Sequence, residues 1–242
     1  MFPLSDNNPT LRWPVVTYGL IAANLAVWIL IQGMGAEPAL SSSVCRLGLI
    51  PGEFLQRLPD GFVIGMGNGL GCVITEGRAW WAPLTSMFSH GSWMHVLGNM
   101  WFLHVFGNNV EDVMGRGRFL AFFLLAGLGA AAAQVVVDPA SPVPMVGASG
   151  AIGGVMGAYV MLYPRAQIRT FVFLFFIEVP AFVMLGYWFL LQVLGNMTPS
   201  PGGGVAFAAH IGGFLAGVAL TPLFRNSELV AQHRLASGFR WR

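Results

Sequence analysis

The chain has 242 residues, of which 55% are hydrophobic and 9% charged; a soluble globular domain carries about 25% charged residues. With a mean hydropathy of +0.67, this excludes a disordered chain, a soluble nucleic-acid binder and an ordinary cytosolic enzyme. The net charge of +2 says little about partners, but all 12 basic residues are arginine, and their placement is informative.

A bilayer-crossing helix needs about 20 mostly apolar residues. In chain order, the stretches that read as spans are 15–33, 93–110, 119–137, the short 149–163, 179–194 and 205–224. The expectation is therefore an all-α integral membrane protein. It has a segment 1–14, a six-helix membrane domain 15–224 and a basic tail 225–242. The first span is longer than a typical signal-peptide core and reads as a signal anchor. Residues 34–92 form one long outer loop, and 61–71 within it is a Gly-rich loop. Cys45 and Cys72 both fall in that outer loop; a disulfide and two packed thiols are equally open readings. The apolar stretch 168–177 is separated from the fifth span by Glu178 and Pro180, and is expected to be interfacial or extended. Within it, 171–176 is lipid-facing or core. Residues 196–204 form a second Gly-rich loop.

Arg12, Arg116, Arg118, Arg165, Arg169, Arg225, Arg234, Arg240 and Arg242 flank alternate span ends; Arg46, Arg57 and Arg78 fall on the other side. Arginine concentrates on the cytoplasmic side of membrane proteins, which puts both termini inside.

Polar groups inside a bilayer are costly and mark function. On the second span, His95 and Asn99 are four apart and share a helix face. The fourth span opens with Gly147-Ala148-Ser149-Gly150. The sixth carries His210 near its start, with Gly213 and Gly217 on the same stripe. Spans two, four and six all run from outside to inside, so His95, Ser149 and His210 lie at similar depth. About 15 residues at 1.5 Å each give the fourth span roughly 22 Å, short of a hydrocarbon core of about 30 Å. Ser149 then lies below the outer surface, where irregular backbone survives only in protein or beside a water-filled cavity.

A serine hydroxyl needs a base to become a nucleophile, and His210 is suited to that task. The start of a helix favours developing negative charge, and Asn99 and His95 are further donors. Gly147, Gly150, Gly213 and Gly217 allow helices to approach closely. Glu111, in the turn after the second span, reads as structural, bonding backbone amides near the inner surface and holding the second-to-third turn. His90 and His104 read as bonding a neighbour. No metal-binding motif occurs, so neither metal nor cofactor is expected.

Taken together, these segments resemble the rhomboid family of intramembrane serine proteases. They are His90-Gly-Ser-Trp-Met-His95-Val-Leu-Gly-Asn99, Gly107-x-x-x-Glu111-x-x-x-Gly115, Gly147-Ala-Ser149-Gly150 and Ala209-His210-Ile-Gly-Gly213-x-x-x-Gly217, in the family's order. The resemblance implies a six-transmembrane-helix rhomboid-like bundle that cleaves membrane-spanning segments of single-span membrane proteins. It implies Ser149 as nucleophile and His210 as base, with no carboxylate. It implies an oxyanion hole from His95, Asn99 and the Ser149 N–H. The outer loop would lie partly in the membrane. The fifth span and the loop after it would gate entry, with Trp188 and Phe189 as gate candidates that read equally as lipid-facing.

The expected partners are substrate proteins and lipid, without nucleic acid, in a prokaryotic inner membrane. Two departures stand out: Trp81 is followed by Ala82 where many members have arginine, and Gly153 stands where many have an aromatic stacked on the catalytic imidazole. A catalytically inactive rhomboid-like binding module is the alternative. A transporter is disfavoured because the chain shows no repeated halves.

Overall fold

A computed structural model of the chain describes residues 1–67, 70–74, 80–198 and 205–237. Arg78, Arg240, Arg242, residues 68–69 and residues 199–204 of the second Gly-rich stretch lie outside the described residues.

The order begins β1 (Phe2–Asp6), α1 (Val15–Leu30), α2 (Ala39–Leu47), α3 (Pro51–Phe54), β2 (Val63–Gly67), β3 (Leu70–Val73) and α4 (Ala82–Thr85). It continues α5 (Trp93–Met114), α6 (Arg116–Val137), α7 (Ser149–Leu162), β4 (Gln167–Val172), β5 (Phe175–Pro180), α8 (Ala181–Asn196), α9 (Phe207–Phe224) and α10 (Ser227–Ser237). The helices α1, α5, α6, α7, α8 and α9 fall on the apolar stretches read from the sequence. By length and composition, α6 and α9 are long and apolar enough to cross a membrane; α1, α7 and α8 are shorter apolar helices.

Local chemistry sets the boundaries. α1 stops at Leu30, ahead of Gly33, Met34 and Gly35, all with positive φ. Ser92 caps α5 by accepting the His95 N–H at 3.2 Å, satisfying one of the N–H groups a helix start leaves free. α5 runs past residue 110 to Met114, where Gly115 turns the chain at φ 78°. Pro180, with no N–H to offer, directly precedes α8.

α7 is the buried centre, touching α5, α6, α8 and α9. Its contact with α9 is glycine on backbone. A Cβ on Gly213 would lie 1.9 Å from the Gly150 carbonyl, and one on Gly217 would lie 2.1 Å from that of Gly154. Small residues let helix backbones meet this closely, and dispersion then holds them. At the other end of α7, Tyr159 meets Phe106 edge to face at 5.1 Å.

Some expectations need correction here. The fold is not all-α: β1, β4 and β5 form an antiparallel sheet in that order, and β2 pairs with β3. The stretch 168–177 is thus a hairpin, with Arg169 opposite Glu178. Ile168 and Thr170 are fully buried and alternate with more exposed neighbours, the period of a strand with one covered face. Its tip is apolar and open, with Phe173 and Leu174 89% and 84% exposed. Within 61–71, residues 63–67 and 70–71 lie on the antiparallel strands β2 and β3 rather than in a plain loop. Cys45 and Cys72 are joined in a disulfide, tying α2 to β3.

A further correction concerns Glu111. Its carboxylate accepts the Val16 and Thr17 N–H groups at 3.0 and 2.8 Å and the Thr17 hydroxyl at 2.8 Å. It therefore bonds backbone amides, but those that open α1 rather than those of the turn after its own helix. The adjacent Asp112 accepts the Leu11 N–H at 2.8 Å and pairs with Arg12 at 3.3 Å. Arg12 also bonds Gln232, and His233 donates to the Pro9 carbonyl at 2.9 Å. The N-terminal segment and α10 therefore pack together against the C-terminal end of α5. His90 and His104 contact neighbours: the His90 ring meets His95 at 5.1 Å, and His104 lies 5.9 Å from Tyr18.

Candidate active site

The glycine seam between α7 and α9 places Ser149, the first residue of α7, beside His210 in the first turn of α9. Ser149 Oγ lies 2.7 Å from His210 Nε2. Both line a cleft of about 930 Å³, together with His95, Asn99, Ser86 and Trp188. The two residues are 61 apart in sequence, and no local pattern joins them; the small-residue faces of two helices do.

His95 and Asn99 stand on one face of α5, as their spacing requires. Gly147 lies against them: a Cβ there would sit 2.6 Å from His95 Nε2 and 3.4 Å from Asn99 Nδ2. Its φ of 117° is also a conformation that side chains with a Cβ rarely adopt. Its N–H is held by the Ser86 carbonyl at 2.8 Å. The Asn99 amide nitrogen is buried and, among the described residues, has no hydrogen-bond partner. A buried donor left open costs free energy, and here it belongs to a residue that lines the cleft with Ser149. The Gly91 N–H approaches His95 Nδ1 at 3.5 Å, which leaves Nε2, the ring nitrogen nearest Gly147, to carry the proton of a neutral imidazole. The first N–H groups of α7 likewise have no acceptor within their own helix. His95, Asn99 and the start of α7 thus line one cleft with the Ser149 hydroxyl.

Gly150 faces Ala130 of α6, where a Cβ would come within 2.5 Å of the alanine methyl. The sequence-read residues Ser149, His210, His95, Asn99, Gly147, Gly150 and Gly213 therefore meet in one place. Gly217 lies one turn beyond Gly213 along the seam, and Glu111 lies apart from the cleft at the start of α1.

Two groups reach His210 that motif reading did not bring there. Trp188 of α8 lies over its ring, with centroids 5.8 Å apart and planes tilted by 35°. Gln192, one turn further along α8, has its Oε1 2.8 Å from His210 Nδ1. Trp188 occupies the space left by the bare Gly153: a Cβ there would come within 3.6 Å of the indole. An aromatic thus covers the imidazole after all, supplied by another helix. Phe189 packs on Phe214 at 4.8 Å. A signal for Gln192 was present: an amide within an otherwise apolar span is costly and asks for a partner.

The family model for the Rhomboid domain matches residues 77–227. The chain is 30% identical over 165 residues to Rhomboid protein 1, mitochondrial, of Saccharomyces cerevisiae, covering 64% of this chain and 45% of that one. It is 32% identical over 157 residues to Rhomboid protease GluP of Bacillus subtilis, covering 64% and 28%. It is 27% identical over 164 residues to Putative rhomboid protease YdcA of Bacillus subtilis, covering 67% and 70%. The chain spans less than half the length of the first two relatives. It belongs to the rhomboid family, a family of helical, membrane-embedded proteins that includes serine proteases.

Proposed function

We propose that this protein is an intramembrane serine endopeptidase that cleaves the spanning segments of single-span membrane proteins. The observation that carries the reading is the 2.7 Å contact of Ser149 Oγ with His210 Nε2, set beside the open Asn99 donor in a cleft. Ser149 is the nucleophile and His210 the general base. His95, Asn99 and the Ser149 N–H form the oxyanion hole, while Gly147, Gly150, Gly213 and Gly217 hold the helices close enough for these groups to meet.

His210 Nε2 takes the hydroxyl proton as Ser149 Oγ bonds to the substrate carbonyl carbon. The carbonyl electron pair moves onto oxygen and is met by the waiting donors. The C–N bond then breaks, and the leaving nitrogen takes the proton back from Nε2. Water repeats the sequence on the acyl-enzyme, giving its proton to Nε2 and then releasing the acid and the serine. No metal or cofactor enters these steps.

The reading places residues 15–224 as a six-span membrane domain in a prokaryotic inner membrane. What supports it is that the N-terminal segment and α10 pack at one end of the bundle, as an even number of crossings requires. The nine arginines on that side then put both termini in the cytoplasm.

The test is cleavage of a single-span substrate by the purified full chain in detergent. The unmutated protein is expected to cleave, while Ser149→Ala and His210→Ala lose activity with folding intact. Cleavage that persists in Ser149→Ala removes the reading. A folded wild type that cleaves no substrate of a varied panel favours the binding module.

A further inference from the structure

We propose that Gln192 is the positioning residue of His210, fixing the imidazole tautomer in which Nε2 is free to accept the Ser149 proton. The inference rests on the Ser149–His210 reading above and extends the pair to a relay that begins on α8.

The Gln192 Nε2 donates to the Trp188 carbonyl at 3.1 Å. A carbonyl oxygen only accepts, so the amide NH2 must lie on that side. The other face of the amide is then the oxygen, and it sits 2.8 Å from His210 Nδ1. An amide oxygen also only accepts, so Nδ1 must carry the proton. In a neutral imidazole the other nitrogen is then bare, and that nitrogen is Nε2, 2.7 Å from Ser149 Oγ. One backbone carbonyl thus sets the amide, the amide sets the tautomer, and the tautomer makes His210 a base toward serine. Reversing the amide would press two oxygens together and leave two N–H donors at Nδ1.

Burial sharpens the choice. Gln192 is only 7% exposed, and a buried amide without partners is costly. In α8 it stands among apolar and aromatic residues, with no other amide before the terminal Asn196. The indole of Trp188 closes the same side of the ring, so one turn of α8 supplies both a wall and an acceptor. A histidine whose second nitrogen is held in this way keeps both its tautomer and its ring orientation.

A purely packing role for Gln192 is the competing account, and two variants of similar size separate them. Gln192→Leu keeps the shape and removes the acceptor. Gln192→Glu keeps an acceptor at Nδ1 and, in its protonated form, an O–H donor for the Trp188 carbonyl. The full chain is purified in detergent, each variant is checked for an unchanged melting midpoint, and kcat and KM are measured on one single-span substrate. Ser149→Ala runs alongside. If Gln192→Leu does not fold, Gln192→Met takes its place.

The expected result is kcat about tenfold lower in Gln192→Leu, the size of one hydrogen bond, with KM unchanged. Gln192→Glu is expected to stay within about threefold of the unmutated protein on the same scale. The rate of Ser149 labelling by a fluorophosphonate should follow kcat. If Gln192→Leu matches the unmutated protein while Ser149→Ala is inactive, the positioning role is overturned and the dyad stands. Equal losses in the Leu and Glu variants overturn it as well. If Ser149→Ala still cleaves, the dyad reading falls and this proposal falls with it.

Discussion

Asn99, which lines the cleft, holds an amide nitrogen that is buried and unpartnered among the described residues. Such a group stores a cost in the resting protein that an oxyanion would relieve, so its contribution should appear in the transition state. Asn99→Ala is expected to lower kcat by about 10²–10³-fold, the usual loss for one oxyanion donor. KM should change little, and steady-state kinetics on one substrate checks this. A loss confined to KM would assign Asn99 to substrate binding instead. At this scale much of the site was legible. The spacing of His95 and Asn99 fixes their common face, and the Gly-x-Ser-Gly motif puts Ser149 at the first residue of α7. Gln192 was not legible as a partner of His210, because the contact depends on the rotation of α8 about its axis. An apolar helix with no strongly polar face does not reveal that rotation.

Helices were legible where apolar runs are long, and strands were not. β1 pairs with β4 across more than 160 residues of sequence, and no local signal carries such a pairing. The hairpin of β4 and β5 reads as one apolar stretch, because aromatic residues at its tip break the alternation of its stem. The exposed tip suits a membrane interface, since its ladder satisfies its own backbone groups. The α7–α9 seam is the element on which the site depends. Gly217→Val would drive a branched side chain into the Gly154 backbone, 2.1 Å from where its Cβ would lie. The expected cost is at least about 1–3 kcal/mol, the range for overpacking. Gly186→Ala on α8, where a Cβ meets nothing within 4 Å, is expected to be neutral. Unfolding in mixed micelles compares the two.

Across the whole molecule, the two ends of the chain are tied to each other as well as to the bundle. Asp6, at the end of β1, accepts the Tyr159 hydroxyl of α7. Burial pushes its carboxyl up to about 6, against the lowering effect of that hydrogen bond. A carboxyl raised on folding favours the native state only while it is protonated. Its contribution is complete below about 3.8 and is lost as pH rises through about 6. The melting midpoint should therefore fall from pH 4 to pH 7 by more in the unmutated protein than in Asp6→Asn; equal slopes would remove Asp6 as the cause. The fold as a whole was legible as a membrane bundle because composition leaves no alternative. The docking of the N-terminal segment and α10 was not, since it rests on single contacts such as Arg12 with Asp112.

The central claim is that Ser149 is a nucleophile activated by His210. The most direct measurement is mass-spectrometric mapping of the adduct formed by a fluorophosphonate with the folded full chain. The account predicts a single modified residue, Ser149, and loss of the adduct in His210→Ala at unchanged stability. An adduct at another serine, or labelling of Ser149 that is indifferent to His210, would contradict it.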